Sequence, residues 1–173
     1  MARAPLPGPP ATARSIARHR VAFYETDAMG IVHHANYVRF LEEARVVWMD
    51  EHDRPYREYA AEGLHFATTA LELRYHRSAA FDDVLSIAVW LEWVRGASLR
   101  MGYEVRRGDE LLASGASEHA MVDTTGRPRR IPAARRAVLQ SRLGGRRGAA
   151  LRGPIGSARN AAAATAPGAR GRP

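Results

Sequence analysis

Two acids and two histidines lie within ten positions of one another, namely Glu25, Asp27, His33 and His34. A carboxylate can act as a nucleophile or general base, and an imidazole can orient water or transfer a proton near neutral pH. Adjacent histidines point apart at a helix start and no third imidazole has ligand spacing, so we expect no metal here. The chain has no cysteine, which excludes a thiolate nucleophile and a disulfide framework. The chemistry expected of this cluster therefore uses oxygen and nitrogen atoms.

The residues after this cluster predict a long helix with one apolar face. Asn36 lies where the N-cap is expected, because its side chain can accept from the first free backbone N–H groups. The helix is expected to fade near Asp53, since Pro55 disfavours helical geometry at Arg54. The apolar face follows the helical period of about 3.6 residues, and its members are Tyr37, Phe40, Leu41, Ala44, Val47 and Trp48. The acids and histidines thus lie at the start of this helix.

Beyond a second short helical piece that ends near Gly63, the apolar residues alternate along the chain, which predicts strands. Val21 and Phe23 supply a further short strand before the helix. Turn signals at residues 95–96 and 107–109 indicate that successive strands are antiparallel neighbours. The alternating rows cover residues 71–75, 85–93, 99–105 and about 111–122. One long helix packed on a five-stranded antiparallel sheet, an α+β fold, is the simplest way to bury both apolar faces.

The charge distribution separates a folded middle from two basic tails. The formal net charge is +8, yet all 18 acids lie between residues 21 and 132. We expect residues 1–17 and 144–173 to be disordered, because their Ala, Gly, Pro and Arg content buries too little apolar surface. The folded domain is expected over residues 18–132, followed by a short helix over residues 133–143.

The composition also disfavours several classes of function. No aromatic residue lies between the tail arginines to stack on bases, so we expect no specific nucleic-acid binding. No apolar run approaches the roughly 18 residues needed to cross a bilayer. The N-terminus lacks the apolar region of a secretory signal, so the expected location is the cytoplasm.

The segment between the first strand and the helix carries an aromatic, two acids, a glycine, a valine, a histidine and a tyrosine at characteristic spacing. These residues are Tyr24, Glu25, Asp27, Gly30, Val32, His34 and Tyr37. The pattern resembles the signature of the hotdog-fold acyl-CoA thioesterases of the 4-hydroxybenzoyl-CoA thioesterase type, including their Tol-Pal-associated branch. The resemblance spans residues 18–132 and includes the strand order, which implies the hotdog fold.

This resemblance implies that the protein hydrolyses an acyl-CoA thioester to a free carboxylic acid and CoA, without a metal or redox cofactor. Asp27 matches the catalytic carboxylate, which acts either as a nucleophile or as a base for a water molecule. The backbone N–H of His34 matches the group that polarises the thioester carbonyl, in agreement with the positive end of a helix dipole. The His34 side chain matches a histidine that orients water or steers a proton. Glu42 is the alternative carboxylate, because another hotdog lineage places it on this helix.

The resemblance also implies which residues contact the substrate. His33 takes a position often occupied by Tyr or Trp, so its imidazole alters the acyl pocket. Arg95 lies at a strand turn that resembles the nucleotide-contacting region of the family, and Arg129 and Arg130 are weaker phosphate contacts. The expected substrate-binding residues are Gly30, Val32, His33, Tyr37, Arg95 and Ser98.

In the family the site lies between two subunits, which implies a homodimer or a homotetramer. The exposed edge of a lone five-stranded sheet independently favours such pairing. Two alternatives stay open: a thioesterase for acyl carrier protein, whose acidic surface suits the basic tails, and a non-catalytic acyl-CoA-binding scaffold. The length of the acyl group and its aromatic or aliphatic character stay open as well.

Overall fold

The computed structural model of the chain describes residues 13–143. The tail expected at 144–173 and most of the extension expected at 1–17 lie outside these residues. The expected α+β class, with one long helix on a five-stranded antiparallel sheet, is confirmed. In chain order the elements are β1 (Arg14–Arg20), a 3-10 turn (Phe23–Glu25), α1 (His34–His52), α2 (Tyr56–Ala61), β2 (Leu64–Tyr75), β3 (Val84–Val94), β4 (Ser98–Arg107), β5 (Glu110–Asp123) and α3 (Ala133–Ser141).

The five strands are arranged in the order β1-β3-β4-β5-β2, and every neighbouring pair is antiparallel. The short turns after β3 and β4 make those strands and β5 successive neighbours, as expected. The same expectation is wrong for β2, which pairs with β5 and not with β3. Residues 76–83 form the connection that carries the chain across the sheet, and this connection contains neither Gly nor Pro. Strands β1 and β2 are therefore the two edges.

The first strand lies earlier in the chain than expected. It begins at Arg14, before the expected domain boundary at residue 18, and pairs with β3. Val21 is buried but Phe23 is 76% exposed and belongs to the 3-10 turn, so these two residues do not form a strand. The strand escapes detection because its large apolar residue, Ile16, is exposed and arginines fill alternate positions. The pairing with β3 therefore determines that this segment is a strand, since its sequence lacks the apolar alternation that would predict one.

Helix α1 packs its apolar face on the sheet and forms the centre of the core. Phe40 and Trp48 are fully buried, and each large apolar side chain removed from water contributes about 1.5–3 kcal/mol. The indole N–H of Trp48 donates to the carbonyl oxygen of Ala13 at 2.9 Å, which fixes the start of β1 against the helix. The buried residues of α1 are Tyr37, Phe40, Leu41, Ala44, Arg45, Trp48 and Met49.

The C-terminal helix α3 lies within the region where a terminal helix is expected. Ile131 and Leu139 are 1% exposed and join the core, so α3 is docked on the domain. The Arg142 guanidinium donates to the carbonyl oxygen of His52 at 3.0 Å at the end of α1. Between residues 13 and 143, no helix is both long enough and apolar enough to cross a bilayer.

Candidate active site

Residues 26–32, which we call the site loop, join the 3-10 turn to the start of α1. A bridge between Thr26 and Val32 closes the loop. Within it, the Asp27 N–H donates to the Ile31 carbonyl at 2.9 Å and the Gly30 N–H donates to the Asp27 carbonyl at 2.9 Å. Gly30 has φ +74°, a conformation that side chains with a Cβ disfavour. The loop therefore fixes the position of Asp27 by backbone hydrogen bonds.

The Asp27 carboxylate has one structural oxygen and one free oxygen. Its Oδ1 accepts the Met29 N–H at 2.8 Å, which is the turn-forming bond typical of aspartate. Its Oδ2 has no hydrogen-bond partner among residues 13–143. Because the side chain is partly exposed, this second oxygen is available to a water molecule or a substrate.

Helix α1 begins at His34, and its N-cap is His33. The expectation that Asn36 caps the helix is wrong, because Asn36 lies in the first turn and its Nδ2 donates to the Glu25 carbonyl at 2.8 Å. The His33 Nδ1 accepts the Ala35 N–H at 3.3 Å. In the described part of the chain, the His34 backbone N–H has no acceptor. The helix thus presents a free donor at its positive end.

A cleft of about 310 Å³ joins the site loop to the start of α1. The Asp27 and His34 residues both line it, as expected. The buried side chains of Val32 and Tyr37 form part of its wall, which places these two expected substrate contacts at the cleft. All lining residues are Asp27, Met29, Ile31, Val32, His34, Tyr37, Tyr75, His76, Arg77 and Ser78.

Two tyrosines shape the cleft beside the helix start. The rings of Tyr37 and Tyr75 meet edge to face with centroids 5.2 Å apart. The Tyr75 hydroxyl donates to the His34 carbonyl at 3.1 Å. Burial raises the pKa of both phenols, so both stay protonated at neutral pH and Tyr75 stays a donor.

Four expected substrate-binding residues do not line the cleft of the same chain. Gly30 shapes the site loop, and the His33 ring is exposed and tilted against that of His34, with centroids 4.2 Å apart. Arg95 stacks over Trp93 at 4.4 Å, and Ser98 begins β4 at the opposite end of the sheet. Val105 lies at the cleft end of β4, since it pairs with Ala113, which pairs with Tyr75. Ser98 is seven positions before Val105, a distance of about 23 Å along the strand. A single chain therefore does not bring Arg95 and Ser98 to Asp27.

Sequence reasoning missed the wall formed by residues 75–78. These residues lie at the end of the edge strand β2 and directly after it, far along the chain from the site loop. A bridge between Ile31 and Ala80 brings the two segments together. No local motif marks this contact, because it depends on the crossing of the chain from β2 to β3. Arg77, with a side chain 71% exposed, adds a cation to the cleft.

Comparisons with known proteins agree with this fold. A model of the thioesterase-like superfamily matches residues 21–143. The acyl-CoA thioester hydrolase YbgC of Escherichia coli O6:H1 is 32% identical over 97 residues, which are 56% of this chain and 72% of that protein.

Solved structures of two other bacterial proteins are similar over most of their length. A hypothetical protein from Thermus thermophilus is 33% identical with a TM-score of 0.70, over 74% of this chain and 96% of that chain. The DHNA-CoA thioesterase from Staphylococcus aureus is 25% identical with a TM-score of 0.66, over 68% of this chain and 80% of that chain. Since the family match covers most of the chain and the sheet order agrees with it, the chain belongs to the thioesterase-like superfamily and has its hotdog fold.

Proposed function

We propose that this protein hydrolyses an acyl-CoA thioester to a free carboxylic acid and CoA. One observation carries the proposal: the free Oδ2 of Asp27 and the free backbone N–H of His34 belong to residues that line the same cleft. A thioester placed between them has its carbonyl oxygen at a donor and its carbonyl carbon near a carboxylate. The relatives named as thioesterases support the same reaction.

The His34 N–H stabilises the negative charge that develops on the carbonyl oxygen. The helix dipole adds to this effect, and one such donor lowers the barrier by about 3 kcal/mol. The His34 imidazole, which is exposed at the cleft, orients the attacking water or steers its proton.

Asp27 has two routes to the products. As a base, it takes a proton from a water molecule whose oxygen attacks the carbonyl carbon, the C–S bond breaks, and the leaving thiolate receives the proton. As a nucleophile, its Oδ2 attacks the carbon, the C–S bond breaks to give an anhydride and a thiolate, and water then hydrolyses the anhydride. Both routes release the acid and CoA and return the carboxylate to its starting form.

The proposed assembly is a homodimer formed along β2, or a tetramer of two such dimers. Strand β2 pairs with β5 on one side only, and its apolar Leu71 is 43% exposed. An open edge of this kind favours antiparallel pairing with a second copy. The Leu64 end of one β2 then lies beside the Tyr75 end of the other.

This pairing gives Arg95 and Ser98 a role that a single chain does not allow. The turn between β3 and β4 lies at the Leu64 end of the sheet, since Ser98 pairs with Ala120 near the end of β5. A second copy therefore brings its turn toward the cleft of the first. There, Arg95 contacts the CoA phosphates in trans, and Arg129 and Arg130 lie after β5 at the same end.

Replacement of Asp27 by asparagine tests the catalytic assignment. The Asp27→Asn side chain keeps an oxygen that can accept the Met29 N–H, so the loop is retained while the base or nucleophile is lost. We expect turnover to fall by about 10²–10⁴-fold. Thiol release is measured over a panel of aliphatic and aromatic acyl-CoA substrates. Asp50→Asn, an exposed acid on α1, is the matched control and keeps full activity.

The same panel separates the competing functions. Undiminished turnover by Asp27→Asn removes this residue from its role and leaves Glu42, with the corresponding Glu42→Gln variant, as the carboxylate to test. Faster turnover of acyl carrier protein substrates than of the matching acyl-CoA indicates a carrier-protein thioesterase. Tight acyl-CoA binding with no hydrolysis of any substrate identifies a binding scaffold and contradicts the proposal.

A further inference from the structure

Glu25 lies two residues before Asp27 and has no part in the mechanism above. It is 2% exposed. A buried carboxylate is unfavourable unless hydrogen bonds replace its lost hydration. The hydrogen bonds of Glu25 therefore indicate its structural role beside the site.

The Glu25 side chain connects the site loop to the end of β1. Its Oε2 accepts the Ala22 N–H at 2.8 Å and lies 2.8 Å from the Nε2 of His19, the penultimate residue of β1. A carboxylate that receives two such bonds is fixed in position, since bonds to a charged group are the stronger ones.

The Glu25 backbone connects the same residue to the start of α1. Its carbonyl oxygen accepts the His33 N–H at 2.8 Å and the Asn36 Nδ2 at 2.8 Å. These bonds set where the helix begins, and His34 is the next residue. One buried residue thus holds both ends of the site loop.

His19 is itself fixed by α1. Its ring packs on that of Phe40 with centroids 4.2 Å apart, and its Nδ1 lies 3.8 Å from the exposed carboxylate of Glu43. The contacts form a closed circuit from β1 through Glu25 to the first three turns of α1. Because these contacts join β1, Glu25 and α1 to one another, they restrict movement of the site loop more than any single hydrogen bond does.

We infer that His19 and Glu25 are a positioning pair that sets the separation between the Asp27 carboxylate and the His34 N–H. This inference rests on the proposed function. Asp27 is two residues from the fixed side chain and His34 is one residue from the fixed N–H, so displacement of Glu25 moves both reacting groups. A misplacement of about 1 Å lowers turnover by up to about 10²-fold.

The test compares Glu25→Met, which keeps the length of the side chain but removes both acceptor oxygens, with His19→Phe and the double variant. His19→Phe retains a ring against Phe40 but removes Nε2. We expect each single variant to lower kcat by about tenfold or more while KM changes by less than about twofold, since neither side chain lines the cleft. The double variant is expected to be little worse than Glu25→Met alone, because both changes remove the contact between His19 and Glu25.

Two further variants distinguish positioning from general destabilisation. His19→Gln restores a side-chain donor toward Glu25 and is expected to recover most of kcat. Glu58→Met is the matched control, an exposed acid on α2 with full activity expected. Amide hydrogen exchange at His33 supplies a readout that is independent of turnover, and we expect at least about tenfold faster exchange in Glu25→Met.

The outcomes separate this inference from the proposed function. Full kcat in folded Glu25→Met and His19→Phe, or a loss confined to KM, overturns the positioning role while leaving thioester hydrolysis intact. A wild-type protein that hydrolyses no thioester refutes the proposed function. In that case His33 exchange still decides whether Glu25 fixes the loop, and unchanged exchange contradicts the inference.

Discussion

At the scale of single residues, Asp27 combines two tasks in one carboxylate. Its Oδ1 completes a turn with Met29, while its Oδ2 is free at the cleft. A turn-forming aspartate and a catalytic aspartate are therefore compatible interpretations of the same residue. This division explains why the asparagine variant is the appropriate substitution, since it removes the chemistry and keeps the turn.

His119 is a second residue whose surroundings determine its chemistry. Its Nε2 lies 2.7 Å from the Ser117 hydroxyl and its Nδ1 lies 3.3 Å from that of Thr68. Tyr103 extends the chain of bonds to Ser117 at 2.8 Å. Burial, with a contribution from the nearby Arg45 cation, lowers the pKa of His119 to about 3. The folded protein therefore holds this imidazole neutral.

This neutral histidine predicts a loss of stability on the acid side. The unfolded chain binds a proton at His119 near pH 6.5 and the folded chain does not, so stability falls as the pH drops from about 6.5 toward 3. Between pH 7 and pH 5 this residue accounts for a loss of about 2 kcal/mol. Urea unfolding of the wild type and His119→Gln at both pH values measures the effect. Equal pH dependence in the two proteins contradicts it.

At the scale of elements, the sequence predicts the body of α1 better than its start. Apolar spacing identifies five of the seven buried residues, because that face depends mostly on residues within the helix. Val47, expected on this face, is only half-buried, while Arg45 and Met49 are buried without having been expected. The start depends on Glu25, eleven positions before Asn36, and local spacing does not reveal such a bond. Strand β1 escapes prediction for a similar reason, since its partner β3 lies about 70 residues further along the chain.

The site loop allows a prediction with a matched control. Gly30 and Gly108 both have positive φ, +74° and +57°, and both face open space where a Cβ would lie. We expect Gly30→Ala and Gly108→Ala each to lower the free energy of unfolding by about 1–2 kcal/mol through backbone strain. Only Gly30→Ala should lower kcat, because Gly108 lies in the turn between β4 and β5. Equal turnover by the two variants, measured by thiol release, contradicts the role of the loop.

At the scale of the whole molecule, the strand order of the sheet determines which site residues can be predicted from the sequence. Asp27 and His34 are close in sequence, so a motif identifies both. Residues 75–78 reach the cleft through the order of the strands, and Arg95 is expected to reach it through a second copy. Contacts that depend on the strand order or on a second subunit have no characteristic spacing in the sequence. The motif therefore predicts Asp27 and His34 but not the cleft wall formed by residues 75–78.

The two edges of the sheet predict different consequences for assembly. Leu71 on β2 and Ile16 on β1 are both exposed apolar residues, at 43% and 58%. Leu71→Arg places like charges together in the proposed dimer, so we expect monomers and at least about a tenfold loss of turnover. Ile16→Arg is the control, which keeps the dimer and its activity. Light scattering of both variants measures the assembly, and a dimeric, active Leu71→Arg protein contradicts the proposed interface.

Tyr75 links assembly to the beginning of the helix. It is the last residue of the edge strand β2, and its hydroxyl donates to the His34 carbonyl. If a neighbouring subunit orders that strand, the effect reaches, through the Tyr75 hydroxyl, the helical turn that holds the proposed oxyanion donor. The rate per enzyme molecule should therefore decline on dilution below the dissociation constant of the proposed dimer, even though every chain retains Asp27 and His34.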